Sequence, residues 1–300
     1  MNNKNRLIIK KCPICDYKKD QKIEFPNLKD NFGFVRGEFN MVRCGNCQSL
    51  YLKDPLNKRN ISKAYPNNYY CYREENISQN KIKRYQINRE CSKIIRKLDK
   101  KERLKVLEIG AGTGLYSRYF KSLGHDVYAS DINKESLKRL EQKGIKTVYL
   151  NFEEEKINAK EFDIIILSHV IEHFYNPKII FKKISKIITP GGIVYLKTPN
   201  SKTAMLSRYS TILDVPRHMV ILSPKAVGLL CKRNLNLENV SNELITNDFI
   251  NYFKLRYKKN YFNYNNPLLI IIFLLPAAIL KILKKSSRMD ILIKNRKRIP

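Results

Sequence analysis

Short apolar runs alternate with amphipathic, charged segments between residues 103 and 245. The runs Leu104–Ile109, Asp126–Ser130, Thr147–Leu150, Phe162–Leu167 and Ile193–Lys197 have strand length, and FDIIILS is apolar almost throughout, as a strand covered on both faces must be. Between them, NKESLKRLEQKG and NPKIIFKKISKIITPGG carry helical periodicity, the first stopping at Gly144 and the second at Pro190 and the following glycine pair. Strand and helix in alternation predict a doubly wound, Rossmann-like α/β sheet. Upstream, residues 1–60 read as short strands and turns, and residues 61–102 as a Tyr-rich connector (YPNNYYCY) running into a polar helix. Downstream, PLLIIIFLLPAAIL is an apolar block between basic flanks, and MDILIK looks like a last strand.

Composition adds little about fold and something about partners. Lys and Arg number 58 against 27 Asp and Glu, a net charge of +31, so a polyanionic partner such as nucleic acid or an acidic membrane face enters the picture. The abundance of Lys, Asn, Ile and Tyr also fits a genomic codon bias. The start, MNNKNRLIIKKCPIC, has no apolar core of a secretory signal, and the cysteine count is odd. Both point to a reducing, cytoplasmic setting rather than a disulfide framework.

Four cysteines form two knuckles, Cys12-Pro-Ile-Cys15 and Cys44-Gly-Asn-Cys47. Four thiolates at this spacing suit tetrahedral Zn²⁺ in a zinc-ribbon-like lobe over 1–60. A closed set leaves no coordination position for chemistry, so the ion would be structural. Cys71, Cys91 and Cys231 read as free thiols.

Glu108-Ile-Gly110-Ala-Gly112-Thr-Gly114 follows the first strand and opens a helix, LYSRYFKSLG. Glycines there permit a sharp turn and close approach of a ligand, and Asp131, ending the next strand, is placed to accept both hydroxyls of a ribose. With the SD after the second strand, FDIIILSHVIEH and TPGGIVYLKTPN in order, the chain from 104 to 200 resembles class I S-adenosylmethionine-dependent methyltransferases. That resemblance implies a methyltransferase domain over 103–300, with S-adenosyl-L-methionine as cofactor. It implies that Glu108, Gly110, Gly112 and Gly114 hold the methionine part, Asp131 the ribose, and Asn151 and Phe152 the adenine, while Ser168 and His169 line the cleft. Most members have Asp at the position of Asn151.

His169, Glu172 and His173 share a helical face, and His218 lies in DVPRHMVILSP. His173, His169 or His218 could be a general base for a hydroxyl. Alternatively the four side chains could bind a divalent metal, or be structural. PRHMVILSPKAVGLL resembles a segment of zinc-bearing methyltransferases of bacterial surface-glycan clusters, which puts Arg217 and His218 on the acceptor side and implies a sugar or glycan acceptor.

The apolar block at 267–283 is short for a crossing of roughly 20 residues and contains Pro276. As an insert before the last strand it reads as an interfacial helix making peripheral contact with the inner membrane face, which suits a lipid-linked acceptor. Two other readings stay open. One is a zinc-ribbon RNA methyltransferase, and the other is a non-catalytic adaptor that keeps the fold.

Overall fold

The structure, a computed structural model, describes residues 5–19, 21–66, 69, 72, 81–99, 102–155, 161–202, 211–232, 236–241 and 288–296. The segment 267–283, Cys71 and most of the Tyr-rich connector lie outside the described residues. No helix among the described residues is long and apolar enough to cross a membrane.

Three antiparallel strands come first: β1 (Gln21–Leu28), β2 (Phe39–Cys44) and β3 (Leu50–Leu52). After helix α1 (Lys81–Ile95) the alternation begins, with β4 (Lys105–Ile109), α2 (Leu115–Ser122), β5 (Asp126–Asp131), α3 (Lys134–Glu141), β6 (Lys146–Tyr149) and β7 (Phe162–Ser168). It continues through α4 (Pro177–Ile187), β8 (Ile188–Pro199), β9 (Val220–Ile221), α5 (Pro224–Lys232), β10 (Asn236–Ser241) and β11 (Arg288–Lys294). The large sheet runs β10-β11-β8-β7-β4-β5-β6, with β11 antiparallel to β8 and to β10 and the other five strands parallel. This is the doubly wound α/β fold expected from the strand–helix alternation, and MDILIK does return into the sheet.

Alternation along the strands makes two cores. Val106, Ile164, Ile166 and Tyr195 face α1 and α2, whereas Leu107, Ile165, Leu167 and Leu196 face α4, α5 and the first lobe. One expectation is corrected at α4. The helix ends at Ile187, and Thr189-Pro-Gly-Gly lies inside β8 rather than terminating the helix. Gly191, at φ +81°, lets this entry bend while its amide donates to Asn295 O at 2.7 Å.

The first lobe is not closed on itself. Its sheet order is β1-β2-β3-β9, so the fourth strand comes from residues 220–221. The junction is held by Arg217, fully buried, whose guanidinium donates to Asp30 Oδ1 and Asp214 Oδ1 at 2.5 Å each and to Ala64 O at 3.2 Å. The Phe32 and Tyr69 rings cover it at 4.7 and 5.4 Å. Replacing Arg217 with Met leaves two carboxylates buried without their cation. We expect a loss of about 3–5 kcal/mol in urea unfolding. A loss below about 1 kcal/mol would show that the pair is not what joins the lobe to the sheet.

Candidate functional site

Reversal of strand order at β4, which has β5 on one side and β7 on the other, opens a crevice at the carboxyl ends of the parallel strands. The glycine loop sits there. Gly110, Gly112 and Gly114 all have left-handed φ, at +64°, +52° and +67°. A Cβ on Gly110 would lie 2.3 Å from Val170 Cγ2, and one on Gly114 2.3 Å from Leu140 Cδ2, so backbone conformation and packing both require glycine.

Two carboxylates fix the loop. Asp131 Oδ2 accepts from Gly112 N, and Oδ1 from Asn133 N, both at 2.8 Å. Glu108 Oε2 accepts from Ser117 N at 2.7 Å and Ser117 Oγ at 2.6 Å, in the first turn of α2. Burial pushes the Asp131 carboxyl above the usual carboxylate range, and pushes Glu108 up to about 7 against the hydrogen bonds from Ser117. Each Asp131 oxygen keeps a lone pair for a further hydroxyl donor. Tyr149 stands opposite Asp131 in register, and both Tyr149 and Ile132 are 54% exposed. A vicinal diol on Asp131 flanked by a flat heterocycle on these side chains fits the donors and surfaces present. Neither Ile132 nor Tyr149 stood out in the sequence.

The other expected cofactor residues are placed as follows. Asn151 is turned into its own loop, donating from Nδ2 to Glu154 Oε2 at 3.0 Å and accepting from Glu153 N at 3.2 Å. Phe152 is 2% exposed, in the same core as Tyr128 and Phe162. Ser168 ends β7 beside the Tyr116 hydroxyl. That hydroxyl donates to Glu90 Oε2 at 2.5 Å, and Lys197 Nζ donates to Glu90 Oε1 at 2.8 Å. This buried network fastens α1 to the crevice floor, and the separation of Glu90 from Lys197 along the chain hid it from sequence reading.

Three of the four histidines converge after β7. His169, at φ +55°, puts Nδ1 3.3 Å from Glu172 Oε1, and the His173 and His218 rings cross at 67° with centroids 4.9 Å apart. Glu172 and His173 sit on a 3-10 turn, Ile171–His173, and His169 precedes it with left-handed φ, so the helical face expected of the three does not form. Burial would push the Glu172 carboxyl up, but His169, His218 and His173 outweigh it and hold it down at about 2. Burial, then the neighbouring His218, pushes His173 down to about 4. Arg217 serves here through its backbone, as its carbonyl accepts from His173 Nδ1 at 3.1 Å.

Cys12, Cys15, Cys44 and Cys47 come together, with Cys12–Cys47 and Cys15–Cys44 sulfurs 3.6 and 3.5 Å apart. Thiolates at about 2.3 Å from a tetrahedral ion stand about 3.8 Å apart, so the set needs almost no movement to take one. The two knuckles repeat one geometry. The residue after each second cysteine has left-handed φ (Asp16 +64°, Gln48 +63°), and its amide donates to the first cysteine's carbonyl at 3.0 Å. Tyr51 supplies a buried hydroxyl with no hydrogen-bond partner among the described residues, and burial followed by the cysteines' charge pushes its pKa up. Among the cysteines, the Cys12 thiol's hydrogen bond to Cys47 holds Cys47 down at about 5. The second knuckle is strapped to the sheet domain, with Ser223 Oγ donating to Cys47 O and Lys225 Nζ to Asn46 O. Cys91 and Cys231 are buried free thiols.

A hollow of about 420 Å³ lined by Arg103, Lys105, Asp126, Glu161, Asp163 and Thr189 lies at the opposite end of the strands and includes none of these groups.

A family model described as a methyltransferase domain matches residues 83–242, more than half of the chain. A ubiquinone biosynthesis O-methyltransferase of Caulobacter vibrioides is 31% identical over 106 residues, 33% of this chain and 42% of the relative. One of Proteus mirabilis is 31% identical over 103 residues, 32% of this chain and 42% of the relative. The chain thus spans about two fifths of the length of the curated relatives it matches. In fold it is similar to coclaurine N-methyltransferase, with a TM-score of 0.51 and 15% identity over 75% of this chain and 77% of that one.

Two outcomes are expected. Since the folded pKa of Glu108 is raised from 4.5 to about 7, its contribution is complete below pH 4.5 and lost as pH rises through 7. The shift corresponds to about 3 kcal/mol. In cofactor-free protein, Glu108→Gln, which keeps an oxygen for Ser117, should therefore gain stability relative to the parent between pH 5 and 8.5 in paired urea titrations. A parallel pair of curves would reject the shift. Separately, Cys12→Ser should lower bound zinc by one equivalent per chain by elemental analysis and destabilise the lobe. Undiminished zinc in that variant would reject a four-thiolate site.

Proposed function

The chain belongs to the methyltransferase-domain family, and on that basis we propose that it is an S-adenosylmethionine-dependent enzyme methylating an oxygen of a sugar or glycan intermediate of bacterial surface polysaccharide synthesis. The observation that carries the cofactor reading is the three-glycine loop held open by Asp131 at the strand-order reversal. The cofactor, when bound, supplies a methyl group already activated on a positively charged sulfur. The chain's own part is to bind, orient and manage a proton. Asp131 accepts the ribose hydroxyls, the glycines let the backbone approach, and Ile132 and Tyr149 flank the base. Glu108 holds the helix against the loop, and Ser168 with His169 borders the acceptor.

Oxygen as the acceptor atom is supported by the names of the curated relatives, which are O-methyltransferases. A sugar acceptor is supported by the run of rings leading to the histidines. Phe34 stacks on Phe32 at 5.9 Å, Phe32 meets Tyr69 at 5.7 Å, Tyr69 meets Tyr65 at 5.5 Å, and Tyr65 meets His173 at 6.0 Å. Phe32 and Phe34 are more than a third exposed, and such rings stack on the apolar face of a pyranose. On this reading the acceptor is lipid-linked and the segment 267–283 rests at the inner membrane face.

Labelled-methyl transfer into a cell extract separated into lipid-linked glycan, sugar-nucleotide and RNA fractions tests it. Label is expected in a glycan or sugar fraction and should be lost with Asp131→Ala, whose cofactor binding by calorimetry should vanish while its circular dichroism stays unchanged. Label in RNA alone would replace the glycan reading with the RNA one. Absence of cofactor binding in the parent protein would leave the adaptor reading.

A further inference from the structure

Glu172 has a carboxylate oxygen that its surroundings leave unsatisfied. The residue is fully buried, Oε2 accepts from Thr198 Oγ1 at 3.0 Å, and Oε1 has no hydrogen-bond partner among the described residues. His169 Nδ1 stands 3.3 Å from Oε1 but is not aligned for a hydrogen bond, and the His169 side chain is 46% exposed. A buried oxygen without a hydrogen bond costs about 1–3 kcal/mol, more when charged, and the half-exposed His169, charged only when protonated, is the group beside it.

Two histidines converge on it. One donor atom from each of Glu172, His173 and His218 lies within 4.8 Å of the others. Backbone carbonyls hold both rings, with Ile212 O 2.7 Å from His218 Nδ1 and Arg217 O 3.1 Å from His173 Nδ1. A carbonyl oxygen only accepts, so His218 Nδ1 carries the proton and its Nε2 keeps a lone pair. His173 Nδ1 lies between Arg217 O and the Tyr65 hydroxyl, 2.9 Å away, and donation to the carbonyl leaves its Nε2 free in the same way. Fixing a ring by its far nitrogen is how proteins orient imidazoles toward an ion.

We propose that Glu172, His173 and His218 form a second metal site, for a divalent transition-metal cation, separate from the cysteine cluster and adjoining the glycine loop. Two imidazoles and one carboxylate are the donor set of open, three-ligand sites for such ions. Donors about 2.1 Å from a tetrahedral ion stand about 3.4 Å apart, so these three, within 4.8 Å of one another, would close up around it. The position adjoins the crevice because Val170, two residues before Glu172, packs on Gly110. Three protein ligands leave a coordination position for a hydroxyl oxygen, and coordination there would make that hydroxyl more acidic. The metal site itself does not rest on the methyl-transfer reading.

The test uses the full chain carrying one equivalent of zinc, titrated with Co²⁺ and followed by visible absorption and equilibrium dialysis. The expected result is one cobalt per chain with ligand-field bands and no thiolate charge-transfer band. Affinity should fall by at least about tenfold in Glu172→Gln and in His218→Gln. Thermal unfolding of the isosteric Glu172→Gln, matched to the parent, excludes loss of fold as the cause. No cobalt bound by the parent, cobalt seen only through thiolate charge transfer, or full affinity in both Glu172→Gln and His218→Gln would overturn the proposal. A protein that binds cobalt this way yet transfers no methyl group would overturn only the methyl-transfer reading.

Discussion

A single buried guanidinium sets the relation between the two halves of the molecule. Arg217 reaches Asp30 in the first lobe and Asp214 in the segment that carries β9, with the Phe32, Phe34 and Tyr69 rings around it. Buried ion pairs add little net stability over an apolar replacement, because both charges give up water. What this one supplies is direction. Asp30 and Asp214 accept from a planar fork, so both approach in its plane, which fixes where residues 211–221 run. From that path follow the pairing of Val220–Ile221 with Tyr51 and Leu50, the position of His218, and the carbonyl of Arg217 that holds His173.

The methyltransferase-domain crevice is organised by burial in a comparable way. Asp131 and Glu108 are nearly inaccessible, and burial raises the pKa of each, so the loop they hold is set before any cofactor arrives. Preorganisation of this kind spares the binding step the ordering of a glycine-rich segment, which would otherwise cost about 1–2 kcal/mol per residue. The side chains most exposed beside Asp131, Ile132 and Tyr149, are apolar on a sheet edge where water would otherwise be their neighbour.

Much of this was legible in the sequence, for local reasons. The parallel strands announce themselves because covering both faces demands unbroken apolar runs, and the loop does so because left-handed φ three times over demands glycine. The cysteine knuckles show by spacing alone. Their left-handed residues do not, since Asp16 and Gln48 take the conformation that glycine usually takes. A two-residue strand such as β9 has no period to detect. The end of α4 was misplaced because Thr189-Pro-Gly-Gly is an equally good entry to a bent strand, and only pairing with β7 and β11 decides between the two. Arg217 stood out in the sequence as an acceptor-side residue, but its partner Asp30 lies 187 residues away, so nothing local marks it as the buried cation that joins the lobe to the sheet.

The chemistry of the two clusters explains why they occupy different depths of one framework. The four sulfurs are nearly at tetrahedral spacing already, held by two matched turns and tied by Ser223 and Lys225 to the start of α5. A closed thiolate set serves rigidity, and rigidity there is passed through β2 and β3 to β9. The Glu172, His173 and His218 group is the opposite case, with one oxygen unsatisfied among the described residues and three donors gathered within 4.8 Å. Its two rings are nonetheless held by carbonyls of residues 212 and 217, on the segment that β9 and Arg217 anchor. The order of dependence therefore runs from the cysteine lobe, through Asp30 and Arg217, to the histidines at the crevice. A perturbation of the lobe reaches the crevice by that route, without any group in the lobe touching the cofactor loop.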